Sequence, residues 1–75
     1  MKQKHIVEVR RYTGSYYEDG TPECEILEQH RTEYPSRYYA KYINEWAGTV
    51  AIRNMEFYID GVEYYEYCKE HGYVI

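Results

Sequence analysis

The chain is short of the residues that mark several large classes of protein. Two cysteines in 75 residues are too few for the disulfide framework of a small secreted domain. Cys24 and Cys68 are therefore expected to be reduced thiols in a cytoplasmic protein. The five glycines are scattered, so no glycine-rich loop exists to cradle a phosphate. Bases are outnumbered, 9 against 13 acids, for a net charge of −4. That balance argues against a dedicated binder of nucleic acid or anionic membrane, whose footprint is basic. No apolar run approaches a membrane span. Met1 to Ile6 is polar and no apolar stretch follows, so no signal peptide is expected. There is no internal repeat and no low-complexity linker, and residues 1–75 read as one small domain.

Phenylalanine and tryptophan are also scarce, one of each, whereas tyrosine is abundant at 12. Tyrosine combines a large contact area with a polar tip. A domain this short buries only about 60–65% of its unfolded surface and cannot bury so many hydroxyls. Several tyrosines must therefore lie at the surface, where they are enriched in binding interfaces.

The stretch Met55 to Glu66 organises the rest. Asp60-Gly61 stands between two aromatic and β-branched runs, the strongest short-range hairpin signal. A two-residue type I′ turn needs positive φ at both positions, which Asp tolerates and Gly adopts freely. The register then places Ile59 opposite Val62, Tyr58 opposite Glu63, Phe57 opposite Tyr64 and Glu56 opposite Tyr65. Alternation gives a core face of Phe57, Ile59, Val62 and Tyr64. The other face carries Glu56, Tyr58, Glu63 and Tyr65.

Taken in order, Lys4 to Tyr12 reads as a strand. Gly14-Ser15 and Glu18 to Pro22 are turn chemistry, with Tyr16 and Tyr17 between them on a loop of about ten residues. Glu23 to Tyr34 is balanced between two readings. Thr21-Pro22-Glu23 resembles a helix start, but Cys24, Ile26, His30, Thr32 and Tyr34 alternate with Glu23, Glu25, Gln29, Arg31 and Glu33, and a strand is favoured. Leu27 is the one break in that alternation. Ser36 to Ala47 is the clearest helix, with Ser36 as N-cap and Gly48 as stop. It puts Tyr39, Ile43 and Trp46 on one face, with Trp46 as its largest buried group. Thr49 to Asn54 leads back to the hairpin. Tyr67 to Gly72 reads as a short terminal helix, and Tyr73 to Ile75 is apolar enough to dock. The expected fold is α+β: a small antiparallel β-sheet of two hairpins covered by one amphipathic helix, with a short C-terminal helix.

Chemistry is thin. Cys68 and His71 stand three apart and are the best seed for a metal-binding protein or small enzyme, but structural zinc sites need a second close pair, and Cys24 has none. Cys24 and His30 would sit about 20 Å apart along a strand at ~3.3 Å per residue, too far for a nucleophile and its base. No metal, cofactor or enzymatic activity is expected. A nucleic-acid-binding accessory role would rest on the basic N-terminal strand, with Lys2, Lys4, Arg10 and Arg11, and on Arg31.

Acids concentrate in Glu18 to Glu33 and in Glu56 to Glu70, each with few bases. An acidic surface studded with tyrosine suits a basic, arginine-rich protein partner through ion pairs and cation–π contacts. The expected partner-binding residues are Glu56, Tyr58, Glu63 and Tyr65 on the hairpin face, and Tyr16, Tyr17, Glu18 and Asp19 on the loop. The alternative occupants of the hairpin face are the C-terminal segment Tyr73 to Ile75 and a second subunit, as in a homodimer. In size, acidity and tyrosine content the chain resembles small phage- or mobile-element-encoded inhibitors of host nucleic-acid machinery, including anti-CRISPR proteins. The likeness rests on overall character and on no motif. It implies an inhibitor that occupies a basic surface of a nucleic-acid-binding protein.

Overall fold

The β-branched run at the start of the chain and the Met55–Ile59 run pair as neighbours at the centre of a four-stranded antiparallel sheet, in the order β2-β1-β3-β4. The computed structural model describes residues 4–72. Its strands are β1 (His5–Tyr16), β2 (Pro22–Thr32), β3 (Met55–Ile59) and β4 (Val62–Glu63). Helix α1 (Pro35–Trp46) joins β2 to a 3₁₀ turn (Val50–Asn54), and helix α2 (Tyr64–Glu70) follows β4. The fold is α+β, as the sequence leads one to expect. The docking of Tyr73 to Ile75 lies outside the described residues.

Alternation sorts the two central strands. Val7 and Val9 of β1 and Met55, Phe57 and Ile59 of β3 point to one side and are buried together. Tyr42 of α1 and Tyr67 of α2 complete that core, with Tyr39, Ile43, Trp46 and Tyr64 packed against it. Both helices thus cover the same face of the sheet. Burying one face of a sheet under helices removes its apolar side chains from water, at about 25 cal/mol per Å². The opposite face carries Glu8, Arg10 and Tyr12 of β1 and Glu56 and Tyr58 of β3.

The Asp60-Gly61 turn has the conformation the dipeptide predicts: φ is +52° at Asp60 and +80° at Gly61. Ile59 pairs with Val62 and Tyr58 with Glu63, the expected register. Asp60 also reaches beyond its own hairpin. Its Oδ1 accepts a hydrogen bond from the Ile6 N–H at 3.0 Å, its Oδ2 lies 2.7 Å from His5 Nδ1, and its own N–H donates to the Ile6 carbonyl at 2.8 Å. The turn is fastened to the start of β1.

Several local expectations are corrected. The second strand ends at Glu63, so Phe57 does not face Tyr64 and Glu56 does not face Tyr65; both tyrosines begin α2. The helix wins because Tyr64, Tyr67 and Cys68, at i, i+3 and i+4, then share one inward face, while Glu63 Oε2 accepts from the N–H groups of Tyr65 and Glu66. In α1 the buried side chain is Tyr42, at 5% exposure, and Trp46 is only half-buried. Tyr34 takes the N-cap position and Pro35 the first turn, where a missing N–H costs nothing; Ser36 lies inside the helix.

Residues 23–34 are largely strand, as favoured, but a β-bulge splits their alternation. Val9 pairs with Glu28 and Arg10 with Ile26, leaving Leu27 as the extra residue. Cys24 and Ile26 therefore fall on the open face with Arg10 and Tyr12. His30 and Thr32 fall on the helix face, where His30 stacks on Tyr38 with centroids 4.6 Å apart. The first hairpin is also longer than expected. β1 continues to Tyr16, with Gly14 at φ +90° bridging an irregularity, and only Tyr17–Thr21 forms the loop.

Candidate partner-binding site

The eight expected site residues divide among three places. Tyr16, Tyr17, Glu18 and Asp19 form the tip of the β1–β2 hairpin. The turn there is closed by the Tyr17 N–H donating to the Thr21 carbonyl at 2.8 Å and the Gly20 N–H donating to the Tyr17 carbonyl at 2.9 Å. Asp19 Oδ1 accepts from the Thr21 N–H at 2.9 Å, and hydrogen bonds from the Thr21 backbone and hydroxyl hold this carboxylate below its usual range. β3 pairs with β1 only as far as Arg11, so the sheet narrows to two strands toward the tip. Tyr16 is 69% exposed and Tyr17 50%. From Tyr12 to Cys24 the chain carries Glu18, Asp19 and Glu23 and no Lys, Arg or His. This tip presents two large rings and negative charge on a braced turn.

Tyr58 lies on the open face of the sheet, within a polar network. The Arg10 guanidinium sits 4.0 Å over its ring and is held at 2.7 Å by Glu8 Oε1. Gln29 Nε2 donates to the other oxygen of Glu8 at 3.0 Å, and Glu8 is 7% exposed. Burial pulls the Arg10 pKa down, but the hydrogen bond and charge of Glu8 outweigh it and leave it raised. The Tyr12 and Tyr58 hydroxyls are 2.5 Å apart, and Tyr12 donates to Glu56 Oε2 at 3.3 Å. Burial, then Tyr58 and Glu56, push the Tyr12 hydroxyl well above the usual tyrosine range. Tyr58 thus has its cation–π partner within the chain.

Glu56, Glu63 and Tyr65 meet elsewhere. β4 pairs only with Tyr58 and Ile59 before the chain turns into α2. Beside the outer edge of β3 this leaves a cleft of about 440 Å³ whose walls include Glu56, Glu63, Tyr65, Tyr39, Tyr42 and Tyr64. Tyr39 and Tyr64 stack at 3.6 Å and 4° between ring planes, and Tyr65 meets Tyr64 edge-on at 5.9 Å. Burial, a hydrogen bond with Tyr65 and the neighbouring rings push the Tyr39 hydroxyl up to about 12. Burial and the Glu56 charge raise Tyr42. Tyr39, Tyr42 and Tyr64 were not foreseen here. The signal for them is the i, i+3 spacing of Tyr39 and Tyr42 on α1, which puts both rings on the side that meets α2. Glu56 also lines a shallower groove beside Tyr12, Tyr16, Pro22 and Arg53, so the cleft and the base of the tip adjoin.

Some of the other candidates make contacts within the fold. Arg10 is paired with Glu8 and Arg11 with Glu25, so two bases of the N-terminal cluster face carboxylates; Lys2 lies outside the described residues. Cys68 is buried, and His71 Nδ1 lies 2.9 Å from the Tyr67 carbonyl. Cys24 and His30 are on opposite faces, parted by the Leu27 bulge. Among the described residues no group of three or more His, Cys, Asp or Glu could hold a metal ion, and no helix is long and apolar enough to cross a membrane. No protein-family model matches the chain, and no curated protein or solved structure is significantly similar to it.

Proposed function

We propose that the chain is a small protein-binding module that acts by occupying a basic surface of its target. The observation that carries this reading is the hairpin tip. Tyr16 and Tyr17 expose large rings beside Glu18 and Asp19 on a turn tied by its own backbone. Tyrosines held on a braced turn lose little conformational entropy on binding, and the adjoining carboxylates steer a cationic surface toward them. The class of target that presents such a surface is nucleic-acid-handling machinery. The module is an inhibitor of it, of the phage or mobile-element kind that its size and acidity resemble. It works in the cytoplasm, where the free thiols of Cys24 and Cys68 suit a reducing compartment.

Affinity capture from a cell lysate tests this, with the wild type compared against Tyr16→Ser/Tyr17→Ser/Glu18→Lys/Asp19→Lys. Mass spectrometry should identify a protein with a basic surface that is retained by the wild type and lost by the variant. A variant that retains the same proteins overturns the reading. So does steeply salt-dependent binding of the wild type to bare DNA or RNA, which would assign the function to nucleic acid itself.

A further inference from the structure

The cleft at the edge of β3 has the makings of a cation site. Its walls bring together the rings of Tyr39, Tyr42, Tyr64 and Tyr65 and the carboxylates of Glu56 and Glu63. Aromatic ring faces are electron-rich and attract a desolvated cation. The two carboxylates come from different strands and keep accepting capacity. Glu63 uses Oε2 to cap α2, and Glu56 uses Oε2 for Tyr12. Among the described residues neither Oε1 has a hydrogen-bond donor, and no Lys or Arg lines the cleft.

We infer that this cleft receives one arginine side chain of the basic partner, with the guanidinium held by Glu56 and Glu63 and stacked on the exposed ring of Tyr65. Arginine fits better than lysine because its planar guanidinium carries five donors and can stack on a ring while bonding two separate acceptors. An ammonium is a compact, strongly hydrated point charge that loses more on entering an aromatic cleft. The cleft adjoins the base of the hairpin tip through Glu56, so one basic surface could meet both. The inference rests on the protein-binding reading but not on the hairpin tip.

The test uses the full chain and a short uncharged-flank peptide with a single central arginine. Versions with citrulline, lysine or trimethyllysine at that position serve as comparisons. Binding is followed in backbone amide and aromatic carbon–proton NMR spectra. The arginine peptide should shift signals of Tyr39, Tyr64, Tyr65 and Glu63. The citrulline peptide, of the same shape without the charge, should bind about tenfold more weakly or worse, the loss expected for a charge-assisted hydrogen bond. Glu56→Gln and Tyr65→Leu should each weaken the arginine peptide with the remaining spectrum unchanged; Glu63 is left intact because it caps α2. Citrulline binding as tightly as arginine overturns the inference, as does either variant binding as tightly as wild type. Shifts confined to the hairpin tip, or none at the highest soluble peptide concentration, do the same. Tighter binding of trimethyllysine would replace arginine with a quaternary ammonium as the ligand. The tip variant described above keeps the cleft, so it should still bind the arginine peptide. Loss of lysate partners with retained peptide binding, or the reverse, shows which of the two readings fails.

Discussion

The β3–β4 hairpin closes on a two-residue turn whose Asp60 side chain is bonded to Ile6 and set against His5. The β1–β2 hairpin closes on a five-residue loop, Tyr17–Thr21, held by hydrogen bonds among Tyr17, Asp19, Gly20 and Thr21 of the arm itself. The first turn serves the fold. Its strand β3 supplies Met55, Phe57 and Ile59 to the core, and its side chains point where packing needs them. The second turn extends past the third strand and leaves tyrosines and acids in water. The two turns of one sheet thus stand differently to the core. The interface residues proposed at the tip come from the hairpin whose side chains the fold does not use. Tyr58 makes the same point from inside the rigid hairpin: Arg10 already covers its ring, so exposure of a strand face does not by itself make a binding face.

The largest effect that would sharpen this contrast is in the core of the rigid hairpin. Phe57→Ala should destabilise by about 3–5 kcal/mol, the range for removing a buried large aromatic, which is most or all of the stability of so small a domain. Ile26→Ala, on the open face of the arm and 52% exposed, should change stability by no more than about 0.5 kcal/mol. Denaturant melts of the two variants side by side check this. Comparable losses would mean that the arm is as much a part of the core as β3.

Next comes the turn itself. Gly61 sits at φ +80° with open space where a Cβ would point, so any penalty there is conformational and not steric crowding. Gly61→Val should destabilise by about 1–3 kcal/mol, the cost of holding a β-branched residue in that region. An unchanged melting temperature would show that the turn can rearrange without loss. That would remove the claim that it is the fixed one of the pair.

The legibility of the sequence follows the same division. Asp60-Gly61, its positive φ values and the pairing of Tyr58 with Glu63 were readable because a two-residue turn leaves the backbone almost no choice. The first helix was readable from its apolar spacing, expected over Ser36 to Ala47 and found one residue earlier at Pro35–Trp46. The end of β4 was not, because Tyr64 and Tyr65 favour strands locally. Only the inward spacing of Tyr64, Tyr67 and Cys68, together with the Glu63 cap, tips them into a helix. That one misjudged boundary moved Tyr65 from a flat face into a cleft. The bulge had a visible trace: Leu27 was the break in the alternation of β2. Reading the break as an extra residue would have separated Cys24 and Ile26 from His30 and Thr32. Tyr39, Tyr42 and Tyr64 could not be joined to Glu56 and Glu63 without the tertiary fold, since four separate elements contribute them.

A smaller effect concerns the clasp between Asp60 and β1. Burial pulls the Asp60 pKa up, but the His5 hydrogen bond and the Ile6 N–H outweigh it, and the carboxyl sits below its usual value. A group whose folded pKa is depressed contributes stability above its unfolded pKa and loses it as pH falls through the folded pKa. Stability should therefore decline on acidification below about pH 4, the ordinary range of an aspartate. Asp60→Asn should flatten that limb. With its side chain 43% exposed, the carboxylate is screened by solvent, and the difference should stay under about 1 kcal/mol. Parallel acid limbs for wild type and variant would show that the clasp contributes nothing measurable and that the two turns differ less than their bonds suggest.

The smallest expected effect on stability lies at the tip, and it decides the comparison. Tyr16 and Tyr17 are exposed, Glu18 contributes no bond that the fold depends on, and the loop is held by backbone hydrogen bonds that substitution leaves in place. Asp19 differs, since its carboxylate braces the Thr21 N–H, so a milder variant that keeps Asp19 is the cleaner probe. Tyr16→Ala/Tyr17→Ala should melt within about 0.5 kcal/mol of the wild type, as surface substitutions do. Binding to a captured partner should fall at least about tenfold, because exposed aromatic anchors concentrate interface energy. Glu18→Lys, with both rings intact, should slow association and flatten its salt dependence while changing dissociation little, since a rim charge acts on encounter. Melting curves and association kinetics on the same samples separate the outcomes. A large loss of stability with unchanged affinity would exchange the roles of the two hairpins, making the arm structural and leaving the rigid hairpin and its cleft to carry recognition alone.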